Sequence, residues 1–118
     1  MSAEELFQTA VRYRDRGEHD KALRVLQSAE QELSGFAGYH AVLAHVLWQL
    51  GRLEDAIRKF RCGTNVAPRS EAISLGLFHC LWEHGDIDNA FDEMRRFLSV
   101  ADSGEYRRII NDINSSGD

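Results

Sequence analysis

The same short pattern recurs three times in this sequence at intervals of 34 residues. The recurring residues are glycine and alanine, at Gly17, Gly51 and Gly85 and at Ala22, Ala56 and Ala90. A fixed period of this length is typical of proteins in which one helix-turn-helix unit is stacked on copies of itself. The period therefore predicts an all-α chain in which antiparallel helix hairpins follow one another in series.

The middle repeat, residues 37–70, carries the fullest form of the pattern in the stretch AGYHAVLAHVLWQLGRLEDAIRKFRCGTNVAPRS. The residues that define it there are His40, Leu43, Ala44, Leu47, Ala56, Phe60 and Pro68. Their spacing is that of the tetratricopeptide motif, W-x2-L-G-x2-Y…A-x3-F…P, with substitutions at three of its places. From residue 3 to about residue 104 the chain therefore resembles a tetratricopeptide-repeat (TPR) protein.

The TPR resemblance implies hairpins stacked as a right-handed superhelix, an α-solenoid of about seven helices, with the first helix of each hairpin on the inner, concave face. We expect one domain over residues 1–118. Its parts are repeats at about 3–36, 37–70 and 71–104, a capping helix at about 103–113 and a polar tail at 114–118. The capping helix is expected because the last hairpin of a solenoid otherwise exposes its core.

Single residues indicate where helices start and stop. Ser2 and Glu5 form a capping-box pair that starts the first helix, and Gly17 ends it by taking a left-handed backbone conformation. We expect the second helix to run unbroken over about 19–33. Asp102, with a glutamate three residues later, indicates the start of the last helix.

Two packing features are expected inside the stack. Ala22, Ala56 and Ala90 should lie where the two helices of each hairpin cross, because a larger side chain would push the helices apart. The third helix, over about 37–50, is apolar on nearly every side. Such a helix needs cover on both sides, which the middle unit of a stack receives from its two neighbours.

Charge and composition narrow the classes of partner. The net charge is −5 and the isoelectric point about 5.5, which argues against nucleic acid or an anionic membrane as the main partner. No apolar run approaches the roughly 18 residues of a membrane span, and the first residues do not resemble a signal peptide. We therefore expect a cytoplasmic protein in which Cys62 and Cys80 are reduced, partly buried thiols within helices.

Positions on the first helix of each repeat that are not needed for packing between hairpins predict a partner-binding groove. They are Phe7, Val11, Arg14, Ala41, His45, Trp48, Gln49, Leu75, His79, Trp82 and Glu83. In two adjacent repeats a histidine is followed three residues later by a tryptophan. Tryptophan is enriched at binding hot spots, which favours the two indoles as anchors for a ligand. The alternative is that both fill gaps in the core.

The two groove histidines allow a further alternative. His45 and His79, with Glu83, have donor types found at zinc sites, but the sequence contains neither H-E-x-x-H nor a cysteine pair at ligand spacing. We therefore expect no metal. If both histidines line the groove, partner affinity should change between about pH 5 and 7, where imidazole gains its charge.

Catalytic motifs are absent from the sequence: there is no G-x-S-x-G, no P-loop and no glycine-rich nucleotide fingerprint. We therefore expect no enzyme activity and no cofactor. In the TPR family the groove takes an extended peptide or a helix of a partner protein, and an apolar groove with two indoles suits a segment with hydrophobic anchors.

Three functional hypotheses follow from the TPR resemblance. The first is a module that binds one protein partner. The second is a small dedicated chaperone or neutralising partner, of the type III secretion needle-subunit type or a toxin-immunity protein. The third is a structural protein that associates with a second copy of itself. The family's co-chaperones that grip a C-terminal carboxylate use a clamp of Lys, Arg and Asn. The corresponding inner positions here cannot form that clamp; they include Phe7, Val11, Val42, Ala72 and Gly76.

A basic cluster is predicted on the outer face, away from the groove. It consists of Arg58, Lys59, Arg61, Arg95 and Arg96. Charge runs of this kind are mostly solvated surface, and a weaker contact surface for an acidic partner is the alternative.

Overall fold

Three helix hairpins follow one another along the chain, as the 34-residue period predicts. The computed structural model describes residues 1–116, and within them it has eight helices and no strand. These are α1 (Ala3–Asp15), α2 (His19–Ser28), α3 (Glu30–Leu33), α4 (Ala37–Gln49), α5 (Leu53–Val66), α6 (Glu71–Glu83), α7 (Ile87–Val100) and α8 (Gly104–Ser116). Helix α1 pairs with α2, α4 with α5 and α6 with α7, and the stack is elongated, 55 × 27 × 20 Å.

The turn inside each hairpin has one geometry, repeated three times. Gly17, Gly51 and Gly85 have φ angles of 78°, 78° and 86°, the left-handed region that glycine enters without a steric penalty. Each turn is closed by the two main-chain hydrogen bonds of a Schellman motif; at the first, Glu18 N donates to Tyr13 O and Gly17 N to Arg14 O, each at 2.9 Å. The predicted left-handed conformation of Gly17 is confirmed, and Gly51 and Gly85 adopt the same conformation.

The hairpins pack through the residues that the pattern indicates. Ala22, Ala56 and Ala90 have no exposed surface, as predicted for the helix crossings. Helix α4 buries seven of its residues, which confirms that it is covered on several sides. Cys80 is buried and Cys62 partly buried, and both lie within helices as expected.

The prediction of one unbroken helix over 19–33 is wrong, and the break is why eight helices replace the expected seven. Helix α2 ends at Ser28, and the four-residue α3 follows after Ala29. The buried Tyr39 hydroxyl donates to the Leu26 carbonyl at 3.0 Å. In a continuous helix that carbonyl would accept from the amide four residues on. Here it accepts from the tyrosine and, in a tighter turn, from the Ala29 amide.

The last helix begins and ends later than predicted. Ser103, and not Asp102, caps it: the buried Ser103 Oγ accepts from the Tyr106 amide at 3.1 Å, while Asp102 pairs with Arg107 at 2.7 Å. Helix α8 then continues to Ser116, three residues beyond the predicted end, so that 114–116 are helical. Residues 117 and 118 of the predicted tail lie outside the described residues.

Helix α8 is attached to the third hairpin by a buried polar network. Tyr106, with no exposed surface, donates its hydroxyl to Ser74 Oγ at 2.7 Å, and Ser74 donates to Glu93 Oε2 at 2.6 Å. Arg96 donates to both oxygens of Glu93, at 2.7 and 2.8 Å, and to the Pro68 carbonyl at 3.0 Å. Three helices, α6, α7 and α8, and the connection between α5 and α6 meet in this network.

The buried network shows that the prediction of a solvated basic cluster is wrong for one of its residues, Arg96. Arg96 is two-thirds buried and neutralises a buried carboxylate, so it belongs to the core and not to a solvated outer face. The pKa of Arg96 is raised because its guanidinium donates to Glu93. Arg58 and Arg95 fit the prediction, since both are exposed and pair with aspartates on their own helices.

Candidate protein-binding face

The eleven residues of the predicted groove lie on α1, α4 and α6, and none of them is buried. The five most accessible lie on the two later helices: His45, Gln49, His79, Trp82 and Glu83. The other six are partly covered: Phe7, Val11, Arg14, Ala41, Trp48 and Leu75. The first helices of the three repeats therefore leave these side chains in contact with solvent, while the buried residues of the same helices belong to the core.

A side-chain hydrogen bond connects these residues from α4 to α6, and the charge of Arg14 on α1 reaches His45 on α4. His45 on α4 lies close enough to Arg14 and to His19 for both charges to lower its pKa, with burial as the largest cause. The His45 and Trp48 rings meet edge to face with centroids 6.5 Å apart. Trp48 Nε1 then donates to Glu83 Oε2 on α6 at 2.6 Å. One face thus extends from α1 to α6, and we call it the first-helix face.

The two tryptophans occupy different environments on this face. Trp48 is partly buried: its ring packs edge to face against Phe60 at 6.3 Å, and its N–H is held by Glu83. Trp82 is 44% exposed, stacks on Phe78 at 5.8 Å and meets the edge of Phe91 at 5.7 Å. Trp48 thus joins two repeats, and Trp82 presents the larger free aromatic surface.

Helix α8 extends the first-helix face beyond α6. A cavity of about 230 Å³ lies between Phe78, His79 and Trp82 of α6 and Ile109, Asp112 and Ile113 of α8. Ile113, predicted to cover the last hairpin, is 38% exposed and lines this cavity. The sequence interpretation missed the α8 side chains as part of a site, although their i, i+4 spacing gave the signal.

A larger cavity, of about 660 Å³, lies at the other end of the stack, where α1, α3 and the start of α4 meet. We call it the notch. Among the predicted groove residues it contains Phe7. Its other lining residues are Ala3, Glu4, Gln8, Glu32, Leu33, Phe36, Ala37, Gly38 and Tyr39. Phe36, 63% exposed at the rim, was missed because it lies in a connection and the groove was predicted from helix positions alone.

Two residues that the sequence interpretation placed among the inner positions do not belong to this face. Val42 is buried, with 8% of its surface exposed. Gly76 lies against α5: a Cβ there would come within 2.5 Å of the Phe60 ring. Gly76 is therefore a close-packing position between two repeats.

The described residues offer no site for a metal ion. Across residues 1–116, no group of three or more His, Cys, Asp or Glu side chains is arranged to hold one. His45, His79 and Glu83 are thus not brought together as ligands. Within the same range no helix is both long and apolar enough to cross a membrane.

Solved structures share this architecture. The type III secretion translocator chaperone SycD of Yersinia enterocolitica, described as an alternative dimer, superposes with a TM-score of 0.76 and 17% identity over 96% of this chain and 86% of that chain. SycD in complex with a peptide of the translocator YopD superposes with a TM-score of 0.78 and 17% identity, over 95% of this chain and 86% of SycD. MamA superposes with a TM-score of 0.78 and 19% identity, over 83% of this chain and 57% of MamA.

These likenesses show the fold: the chain is an all-α, TPR-like helical repeat. No protein-family model matches the sequence, and neither does any curated protein. The chain spans most of the length of SycD but little more than half of MamA. The neighbours named here are a secretion chaperone and MamA.

Proposed function

We propose that this chain is a TPR protein without catalytic activity, which binds a segment of a partner protein along the first-helix face. The observation that carries the proposal is the accessible row of side chains on α4 and α6, in which His45 meets Trp48 and Trp48 is hydrogen-bonded to Glu83, the neighbour of the exposed Trp82. A row of aromatic and polar groups on a rigid helical scaffold suits recognition of an extended or helical segment. It lacks the convergent acid, base and nucleophile that catalysis requires.

The exposed indole of Trp82 is the proposed main anchor. Its ring is oriented by Phe78 and Phe91 and lies beside an apolar cavity, so a ligand side chain would gain contacts with little loss of side-chain freedom. Trp48 has a different role in this proposal. Its N–H is already bound by Glu83, so it orders the face between two repeats and contributes its remaining ring surface.

The test is selection of a random peptide library on the immobilised full chain, followed by affinity measurements with three variants. His79→Ser/Trp82→Ser and Arg14→Ser/His45→Ser alter the two halves of the first-helix face. Asp92→Ala/Arg95→Ala removes an exposed ion pair of α7 as a control. We expect selected peptides to lose at least tenfold in affinity to one of the face variants and to bind the control normally. Ligands that bind all variants equally would refute the proposal.

A dedicated chaperone is the second candidate, and one observation favours it. The chain covers 86% of SycD, described in one structure as bound to a YopD peptide, so the two proteins are similar in extent as well as in fold. This proposal predicts one partner encoded nearby and isolated with the chain in a fixed ratio. Light scattering on the purified chain tests the third candidate, self-association, because a monomer at micromolar concentration contradicts it.

A further inference from the structure

We infer that the notch binds a partner segment in which one bulky apolar side chain is flanked by lysine or arginine. This inference rests on the proposed function, since it specifies the chemistry of the ligand at one end of the same protein-binding surface. It concerns residues that the first-helix row does not contain, apart from Phe7.

The interior of the notch is apolar. Leu33 and Tyr39 form buried walls, with 8% and 1% of their surfaces exposed, and Phe7 is partly accessible. Phe36 contributes an exposed ring at the rim. With about 660 Å³, the cavity exceeds the volume of one large side chain, so it has room for an aromatic or branched anchor and part of its main chain.

The rim of the notch carries negative charge. Glu4 on α1 and Glu32 on α3 line it, both are exposed, and neither forms an ion pair within residues 1–116. No lysine, arginine or histidine is among the lining residues described. Two unpaired carboxylates from different helices around an apolar cavity complement an apolar anchor with cationic neighbours.

The first-helix face near α6 lacks this combination. The cavity beside Trp82 is about a third of the size of the notch and has a single carboxylate, Asp112, among its lining residues. The preference for basic residues therefore belongs to the notch and not to the whole surface.

The experiment titrates the isotope-labelled full chain with synthetic peptides and follows its amide signals by NMR. Three 13-residue peptides are compared: one with a central phenylalanine flanked by lysines, one with the same phenylalanine flanked by glutamates, and one in which serine replaces the phenylalanine between lysines. We expect the first peptide to shift the Phe7 and Gly38 signals. It should bind at least fivefold more tightly than the other two, and this advantage should shrink in high salt.

Variants assign the effect to the notch. Glu4→Gln/Glu32→Gln should weaken the lysine–phenylalanine peptide about fivefold, in line with the modest strength of exposed ion pairs. Phe36→Ser removes the exposed aromatic ring at the rim and should also weaken binding of the lysine–phenylalanine peptide. Asp20→Asn/Asp88→Asn makes the same change of net charge at two exposed positions that do not line the notch, and it should leave affinity unchanged.

Two results would overturn the inference. One is equal affinity for the lysine and glutamate peptides. The other is a set of shifted signals centred on Trp82 and absent at Phe7. Library peptides that lose affinity to His79→Ser/Trp82→Ser but not to Phe36→Ser would refute the notch while leaving the proposed function intact. A self-associated chain whose contacts cover Phe36 would identify a second copy as the occupant and would also refute it.

Discussion

Two buried tyrosines hold the two ends of this stack, and they do so by different means. Tyr39 bonds to a main-chain carbonyl, that of Leu26, and the helix that supplies this carbonyl is broken there. Tyr106 bonds to Ser74 within a network that includes Glu93 and Arg96, and the helices around it continue. At the first junction the Tyr39 hydroxyl is hydrogen-bonded where a helix is interrupted, beside the open notch. At the second junction the Tyr106 hydroxyl is hydrogen-bonded to further side chains inside a closed core. Four predictions test this difference.

The largest effect is expected for Arg96→Met, which leaves the buried Glu93 carboxylate with Ser74 as its remaining partner. Loss of one member of a buried pair costs about 3–5 kcal/mol, and the partial exposure of Arg96 reduces this to about 2–3 kcal/mol. Urea unfolding measures the loss. Arg95→Met, on the same helix and in an exposed pair with Asp92, is the matched control and should cost less than about 1 kcal/mol. Equal losses would show that the network does not stabilise the junction.

A larger side chain at the helix crossing should destabilise the third hairpin more than the first. Ala90→Leu inserts three carbon atoms where α6 and α7 cross with no free space, and it should cost about 2 kcal/mol. Ala22→Leu makes the same change within α2, the interrupted helix, which can shift more easily, and about 1 kcal/mol is expected. Both values come from the midpoints and slopes of urea unfolding curves. A larger loss of unfolding free energy for Ala22→Leu than for Ala90→Leu would contradict the idea that the first hairpin adjusts more easily to a larger side chain.

Alkaline pH should lower the free energy of unfolding through the buried tyrosine at each junction. Burial, as the largest cause, raises the pKa of Tyr39 and the pKa of Tyr106 to about 12, from 10.0. Because the folded state favours the neutral phenol, this stability is fully present below about pH 10 and falls as pH rises through 12, where each tyrosine has lost about 2 kcal/mol of it. Tyr39→Phe and Tyr106→Phe should each flatten part of the fall in unfolding free energy. Cys80, whose pKa is also raised to about 12 by burial, contributes equally in every variant.

The smallest effects are expected for the same two variants at neutral pH. Tyr106→Phe removes one hydrogen bond from the network and should cost about 1 kcal/mol. Tyr39→Phe releases the Leu26 carbonyl to accept from a helix amide instead, so a few tenths of a kcal/mol is expected. NMR secondary shifts of residues 28–30 should then indicate a continuous helix. A persistent break in this variant would show that the Tyr39 hydroxyl does not cause it.

The hairpins were predictable because their causes are local and repeated. A glycine that ends a helix and an alanine at a crossing act within one 34-residue unit, and the structure places all six of these residues as expected. The break before α3 was not predictable from the second helix alone, since the hydroxyl that bonds to the Leu26 carbonyl lies 13 positions away in the sequence. The choice of Ser103 over Asp102 as cap depended likewise on the burial of Ser103 and Tyr106.

The candidate site was predictable to a smaller extent. The row on α1, α4 and α6 follows from helix periodicity, and the structure leaves all of it accessible. The notch combines a helix, a short helix and a connection, so no single periodic pattern contains it. The difference between Trp48 and Trp82 was equally hidden, because it depends on Glu83 from another repeat. What remains a proposal is the use of these surfaces in binding.

The carbonyl that Tyr39 captures is the one that the Glu30 amide would use in a continuous helix, and the four-residue α3 begins with amides that have no acceptor within their own helix. These amides should exchange their hydrogens with deuterated solvent orders of magnitude faster than those of α4 or α6, because they need no unfolding event to reach water. A limited digest should cut first at the same place. We therefore expect the outer end of the first hairpin, at the edge of the notch, to open locally while the rest of the stack stays folded.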